Sequence, residues 1–121
     1  MRLNPDCIRA ILLTVEENCD FDTPWQYVAE KNNSEYLSTF THSEIIYHIS
    51  QCSQMGFFAS IRFFGDGEIV FISDLSPIGH EFLSNIRNEP LWKKILQKGA
   101  GASLPILIEL AKEIALKHYL G

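Results

Sequence analysis

Residues 41–83, THSEIIYHISQCSQMGFFASIRFFGDGEIVFISDLSPIGHEFL, decide the architecture of this chain. Thr41 and Glu44 stand three residues apart, the spacing of a capping box in which hydroxyl and carboxylate each accept the other residue's backbone N–H. Ile45, Ile46, Ile49, Cys52 and Met55 then recur at helical intervals. The pattern predicts a helix over 41–55, with Gly56 as its left-handed stop. Two strand-like runs follow, 57–64 and 68–72, and Gly65-Asp66-Gly67 between them offers the positive φ angles of a tight turn. Ser76-Pro77 opens another helix, carrying Ile78, Phe82, Leu83 and Ile86 on one face.

Helix, two-stranded ribbon and packed helix in that order is the layout of a winged-helix domain, in which the first helix commonly enters the DNA major groove. The expected fold is therefore α+β and winged-helix-like, with additional C-terminal helices. One domain is expected over 1–121, its core at about 4–88 and a helical extension at about 90–121. Upstream, Asn4-Pro5-Asp6 is a helix start: Asn4 caps, Pro5 suits the first position and Asp6 opposes the dipole. Leu3 before the cap and Ile8 after it form a hydrophobic staple, and Ile8, Ile11, Leu12 and Val15 carry the helix to about Asn18.

Between residues 19 and 40 two readings stand. Trp25-Gln26-Tyr27-Val28 and Tyr36-Leu37-Ser38-Thr39-Phe40 suggest a short hairpin with Lys31-Asn32-Asn33-Ser34-Glu35 as its turn. The rival is a helix from Thr23-Pro24 to Lys31. Downstream, Pro90 begins a helix with Leu91, Trp92, Ile95 and Leu96, Gly99-Ala100-Gly101 ends it, and Ser103 caps a last helix over 104–120.

With 121 residues, 46% apolar and 21% charged, the chain has the balance of a globular protein. A net charge of −5 repels nucleic acid and anionic lipid unless a local basic patch offsets it. Cys7, Cys19 and Cys52 lack C-x-x-C spacing and read as free thiols in a reducing cytoplasm. The N-terminus turns polar at once, and Ile11-Leu12-Leu13 is too short for a signal core or a membrane span.

Several phrases together resemble one family. They are Leu3-Asn4-Pro5-Asp6-Cys7-Ile8-Arg9, Tyr47-His48-Ile49 leading to Gly56-Phe57-Phe58, and Leu75-Ser76-Pro77-Ile78-Gly79-His80-Glu81-Phe82-Leu83, continued by Asn85-Ile86-Arg87 and Trp92. The resemblance is to small uncharacterised proteins encoded by bacteria, often in prophages, and by their phages. It implies a winged-helix-like fold and a phage or prophage origin, and it hands on no catalytic or binding residue. Ordinary winged helices place a separate helix before the recognition helix, and residues 19–40 hold only a doubtful one.

Glu44, Tyr47, His48, Gln51 and Gln54 are expected on the helix face opposite Ile45, Ile49 and Cys52. Tyr, His and Gln reach phosphates and base edges, so Tyr47, His48, Gln51 and Gln54, with Arg62 of the ribbon, are the candidate contacts to double-stranded DNA. Against this, no Lys or Arg lies between Asn32 and Ile61, and Arg62 faces Asp66 and Glu68, which suits an ordinary solvated face. Arg87, Lys93, Lys94 and Lys98 cluster around Trp92, either as a surface for acidic partners or as solubilising charge.

His48 and Cys52 are the only spaced metal-ligand pair, and two ligands do not make a site. His80-Glu81 point about 100° apart on a helix and do not work as an acid–base pair. No nucleophile, base and oxyanion donor converge in the sequence, so no enzyme, cofactor or metal is expected. Two functions remain: a small DNA-binding regulator, or a protein-interaction module with a winged-helix core that has lost DNA binding.

The last helix confines Glu109, Lys112, Glu113 and Lys117 to a narrow strip. Leu104, Leu107, Ile108, Ala111, Ile114 and Ala115, helped by Leu91, Trp92 and Ile95, are thus expected to form a homodimer interface. The alternative is packing within the chain, between the first helix and the one opened by Ser76.

Overall fold

Asn4 begins the chain's order as the sequence predicts: its side chain accepts the Asp6 N–H and starts α1, Pro5–Asn18. The computed structural model describes residues 1–31 and 34–121. After α1 come β1 (Trp25–Val28), a 3₁₀ turn (Glu35–Leu37), α2 (His42–Gln54), β2 (Ile61–Phe64), β3 (Ile69–Ile72), α3 (Pro77–Ile86), α4 (Glu89–Lys98) and α5 (Leu104–Leu120). The protein is mixed α+β, five helices against a small antiparallel sheet of order β1-β3-β2.

The predicted ribbon is present, but its first strand is shorter than expected. β2 pairs with β3 from Ile61↔Ile72 to Phe64↔Ile69. Phe57 and Phe58 are both buried, and consecutive inward side chains do not fit the two-fold alternation of a strand with one wet face. Pairing there thins to a single bridge, Phe58↔Leu75, and an Ala59 N–H bond to the Asp74 carbonyl at 2.9 Å.

Residues 19–40 correct both readings of that stretch. Trp25–Val28 is a strand, yet its partner is β3, in the register Trp25↔Ile72 to Val28↔Ile69. Trp25 and Tyr27 turn inward beside Val70 and Ile72, whereas the run from Tyr36 offers only Leu37 to the core and coils into the 3₁₀ turn. The rival helix is absent, because Asp20 and Thr23 close a turn by exchanging backbone hydrogen bonds of 2.9 and 3.2 Å. Of the proposed 31–35 turn, Asn32 and Asn33 lie outside the described residues.

The core gathers apolar side chains from every helix and from β1 and β3, with half-buried Ile61 of β2 packed against it. Phe57 stacks on Phe82 with centroids 5.1 Å apart. Above it α3 approaches closely: the Ser76 N–H donates to the Phe57 carbonyl at 2.8 Å, and a Cβ on Gly79 would lie 2.2 Å from that oxygen. Glycine is required there by contact rather than by conformation. Arg9 of α1 completes this region, its guanidinium donating to the Ile86 and Arg87 carbonyls at 2.9 and 2.7 Å. Those acceptors are the unmatched carbonyls at the end of a helix.

The expected dimer face is turned inward. Leu104, Leu107, Ala111, Ile114 and Ala115 are buried within the chain, and Ile108 packs partly against the same core. Both α3 and α4 lie against α5, and Leu91, Trp92 and Ile95 are buried on the inner side of α4. Two helices, rather than a second subunit, therefore cover those residues. Among the described residues no helix is long and apolar enough to cross a membrane.

Candidate interaction surface

The capping box forms as read: the Glu44 N–H donates to Thr41 Oγ1 at 3.2 Å and the Thr41 N–H to Glu44 Oε1 at 3.1 Å. It fixes the start of α2 and hence the direction of its side chains. The ribbon tip then rests on that helix. Gly65, Asp66 and Gly67 all adopt positive φ, and a Cβ at Gly67 would come within 3.3 Å of Ile46. Helix and ribbon are thus joined by direct packing.

This arrangement separates the residues predicted to contact DNA. His48 is the clearest departure, being 1% exposed. Its Nε2 accepts the Asn4 N–H at 2.8 Å, so Nδ1 carries the proton and donates to the Glu44 carbonyl at 2.7 Å. Both ring nitrogens are committed, Nε2 tying α2 to the start of α1 and Nδ1 bonding within α2, and neither faces outward. A position three beyond Ile45 lies beside the buried stripe, which is why helical spacing alone misplaces it. Tyr47 is half-buried and meets His48 edge-on at 4.9 Å. Gln51 is half-buried, while Gln54 is exposed and donates to Ser50 Oγ at 3.3 Å. Arg62 is exposed opposite Phe71 and makes no ion pair among the described residues.

Around this surface the charge is mostly negative: Glu44 on α2, Asp66 and Glu68 on the ribbon, and Asp20 and Asp22 beside it. The apolar content is more distinctive. Phe63 and Phe64 are roughly half exposed, Phe64 meets Phe71 edge-on at 5.7 Å, and Phe21 is 99% exposed at the tip of its turn. Phe21, Phe71 and Pro24 form the apolar walls of a groove of about 270 Å³, with Asp20, Asp22 and Arg62 as its charged lining. Sequence reasoning missed Phe21. Its only signal is an aromatic residue placed between two aspartates.

The basic cluster also differs from expectation. Lys93, Lys94 and Lys98 are exposed, but Arg87 is engaged by Glu16, and Trp92 is buried with its indole N–H donating to Asp6 Oδ1 at 2.8 Å. Trp92 is thus withdrawn from these cations and does not offer its face to a base. His80 Nε2 lies 3.8 Å from Asp74 Oδ1, linking α3 to the end of β3.

The thiols are sequestered. Cys7 and Cys52 are fully buried, and all three cysteines are free. Burial, with the Glu44 carboxylate adding to it, pushes the Cys7 thiol up from 9.0 to about 12. Complete burial and then the neighbouring Cys7 drive Cys52 in the same direction. Such thiols stay protonated and unreactive near neutrality. Among the described residues no three His, Cys, Asp or Glu side chains group as metal ligands.

The family model described as Hypothetical protein (DUF2513) matches residues 2–104. Comparison with curated proteins and with solved structures gives no match.

Proposed function

The chain belongs to the DUF2513 family, and we propose that it is a winged-helix-like module that binds protein rather than duplex DNA and carries out no catalysis. Its setting in this reading is the cytoplasm of a bacterium bearing a prophage or infected by a phage, as the sequence resemblance implies. The order of elements supports the winged-helix part. A strand after α1 closes onto the ribbon that follows α2, and the Glu35–Leu37 turn stands where a separate helix would precede the recognition helix.

One observation carries the choice of partner: the α2 and ribbon surface has Arg62 as its sole cation among Glu44, Asp66 and Glu68, with His48 withdrawn from it. Non-specific DNA binding draws nearly all its strength from Lys and Arg neutralising phosphates. Exposed Phe21 and Phe64, the latter against Phe71 of the same groove, instead suit an apolar protein partner.

Fluorescence anisotropy with a labelled random duplex at about 50 mM salt tests this reading, since non-specific DNA binders reach dissociation constants of roughly 10⁻⁴–10⁻⁶ M even at physiological salt. We expect no binding at tens of micromolar protein. Binding that falls steeply as salt is raised would establish the alternative, a DNA-binding regulator. In cells, a photo-crosslinking residue at position 64 is expected to give a discrete protein adduct that F21D abolishes. Adducts to nucleic acid alone contradict the proposal.

A further inference from the structure

We infer that the groove between α3 and α5 is a self-association face, where two copies meet about a two-fold axis and Glu81 of each pairs with Lys112 of the other. The groove encloses about 380 Å³ and is lined by Glu81 and Asn85 of α3 and by Lys112, Leu116, Tyr119 and Leu120 of α5. It goes beyond the proposed function, since neither helix contributes to the α2 and ribbon surface.

The apolar residues here are not remnants of folding. The inward side of α5 is already spent on the chain's own core, through Leu107, Ala111 and Ile114. Leu116 at 60% exposure and Tyr119 at 65% form a second stripe, on a different side of the same helix. Lys112, Leu116 and Tyr119 follow the i, i+4, i+7 spacing of a single face, and Glu81 and Asn85 repeat the i, i+4 spacing on α3. The result is a continuous apolar strip with an acid at one wall and a base at the other.

Charge chooses the occupant. In a two-fold interface every contact from residue i to residue j recurs from j to i, so the surface must complement itself. A groove bearing one Glu and one Lys on opposite walls meets that condition. A strongly basic or strongly acidic partner would leave Lys112 or Glu81 against a like charge. Glu81 makes no ion pair among the described residues, and Lys112 reaches only Glu109 of its own helix, at 3.8 Å. Both side chains are available for a second copy. The net charge of −5 on each chain opposes association only over about a Debye length, roughly 8 Å at physiological salt.

Sedimentation equilibrium of the intact chain from low to high micromolar concentration is the test. We expect a monomer–dimer equilibrium. L116D should abolish the dimer with an unchanged circular dichroism spectrum, because Leu116 is exposed in the monomer. E81K and K112E each place like charges together twice per dimer, and each should weaken association about tenfold. The double variant E81K/K112E restores the pairing in reverse and should return most of the affinity. A monomer at every concentration overturns the inference, as does a dimer indifferent to L116D. A double variant no tighter than either single one refutes the two-fold pairing.

Discussion

Replacing His48 by alanine tests whether this side chain builds the fold or serves its surface. In the structure the ring is 1% exposed, accepts the Asn4 N–H at 2.8 Å and donates to the Glu44 carbonyl at 2.7 Å. Its removal takes the acceptor from an N–H at the start of α1, and a polar group left unmatched costs about 1–3 kcal/mol. Loss of the packed ring and the space it leaves adds about 2 kcal/mol. A total of about 3–5 kcal/mol is a large part of the 5–15 kcal/mol that holds an ordinary domain together. With a urea dependence of about 2 kcal/mol per molar, the unfolding midpoint should fall by roughly 1.5–2.5 M, read by circular dichroism. Gln54→Ala, on the exposed face of the same helix, should stay within about 0.5 kcal/mol of the parent. An H48A protein that loses under about 1 kcal/mol would refute the reasoning and return His48 to the surface.

Two further outcomes follow from the same geometry. Gly79→Ala forces a Cβ to 2.2 Å from a backbone oxygen that cannot swing aside, and should cost about 3 kcal/mol or more in urea unfolding. Gly56→Ala has φ +76° but open space around it and should lose only about 1–2 kcal/mol; equal losses would refute the close approach of α3 to Phe57. Alkaline stability should respond to the buried thiols. Below pH 9 the thiols are neutral in both states, but between pH 9 and about 12 the unfolded chain ionises Cys7 while the folded chain does not. Stability therefore falls as pH rises through that window, by at most about 1.4 kcal/mol per pH unit for each such thiol. The C7A/C52A variant should show a shallower decline in Tm from pH 9 to 11, whatever its offset at pH 8, and parallel declines would contradict the assignment.

Much of the helical framework was legible because its signals are local. Asn4, Thr41 and Ser76 announce helix starts within four residues, and each is found capping the predicted turn. The ribbon was readable for the same reason, through Gly65-Asp66-Gly67. The partner of Trp25–Val28 was not, since a strand's own residues state which face is apolar but not which distant edge it joins. His48 failed for a related reason: helical periodicity assigns a face, and the Asn4 N–H that draws the ring inward lies on another element. The apolar sweep of α5 predicts cover on most sides, whereas Ile106, Leu116 and Leu120 stay exposed, and nothing in its spacing says that α3 and α4 cover the buried side.

The order β1-β3-β2 has a consequence for how the chain reaches this state. β2 and β3 meet across a tip of a few residues, a closure that local motion accomplishes in microseconds. β1 reaches the other edge of β3 only by enclosing the whole of α2 and the ribbon, and such distant pairings are late because the loop must be ordered before any contact rewards it. The turn that bears Phe21 travels with β1, so the most exposed aromatic residue arrives with the last strand. Until it does, β3 stands with one bare edge bordered by Val70 and Ile72, an open template for another chain's strand. Crowded synthesis therefore bears hardest on this molecule in the interval between ribbon formation and the docking of Trp25.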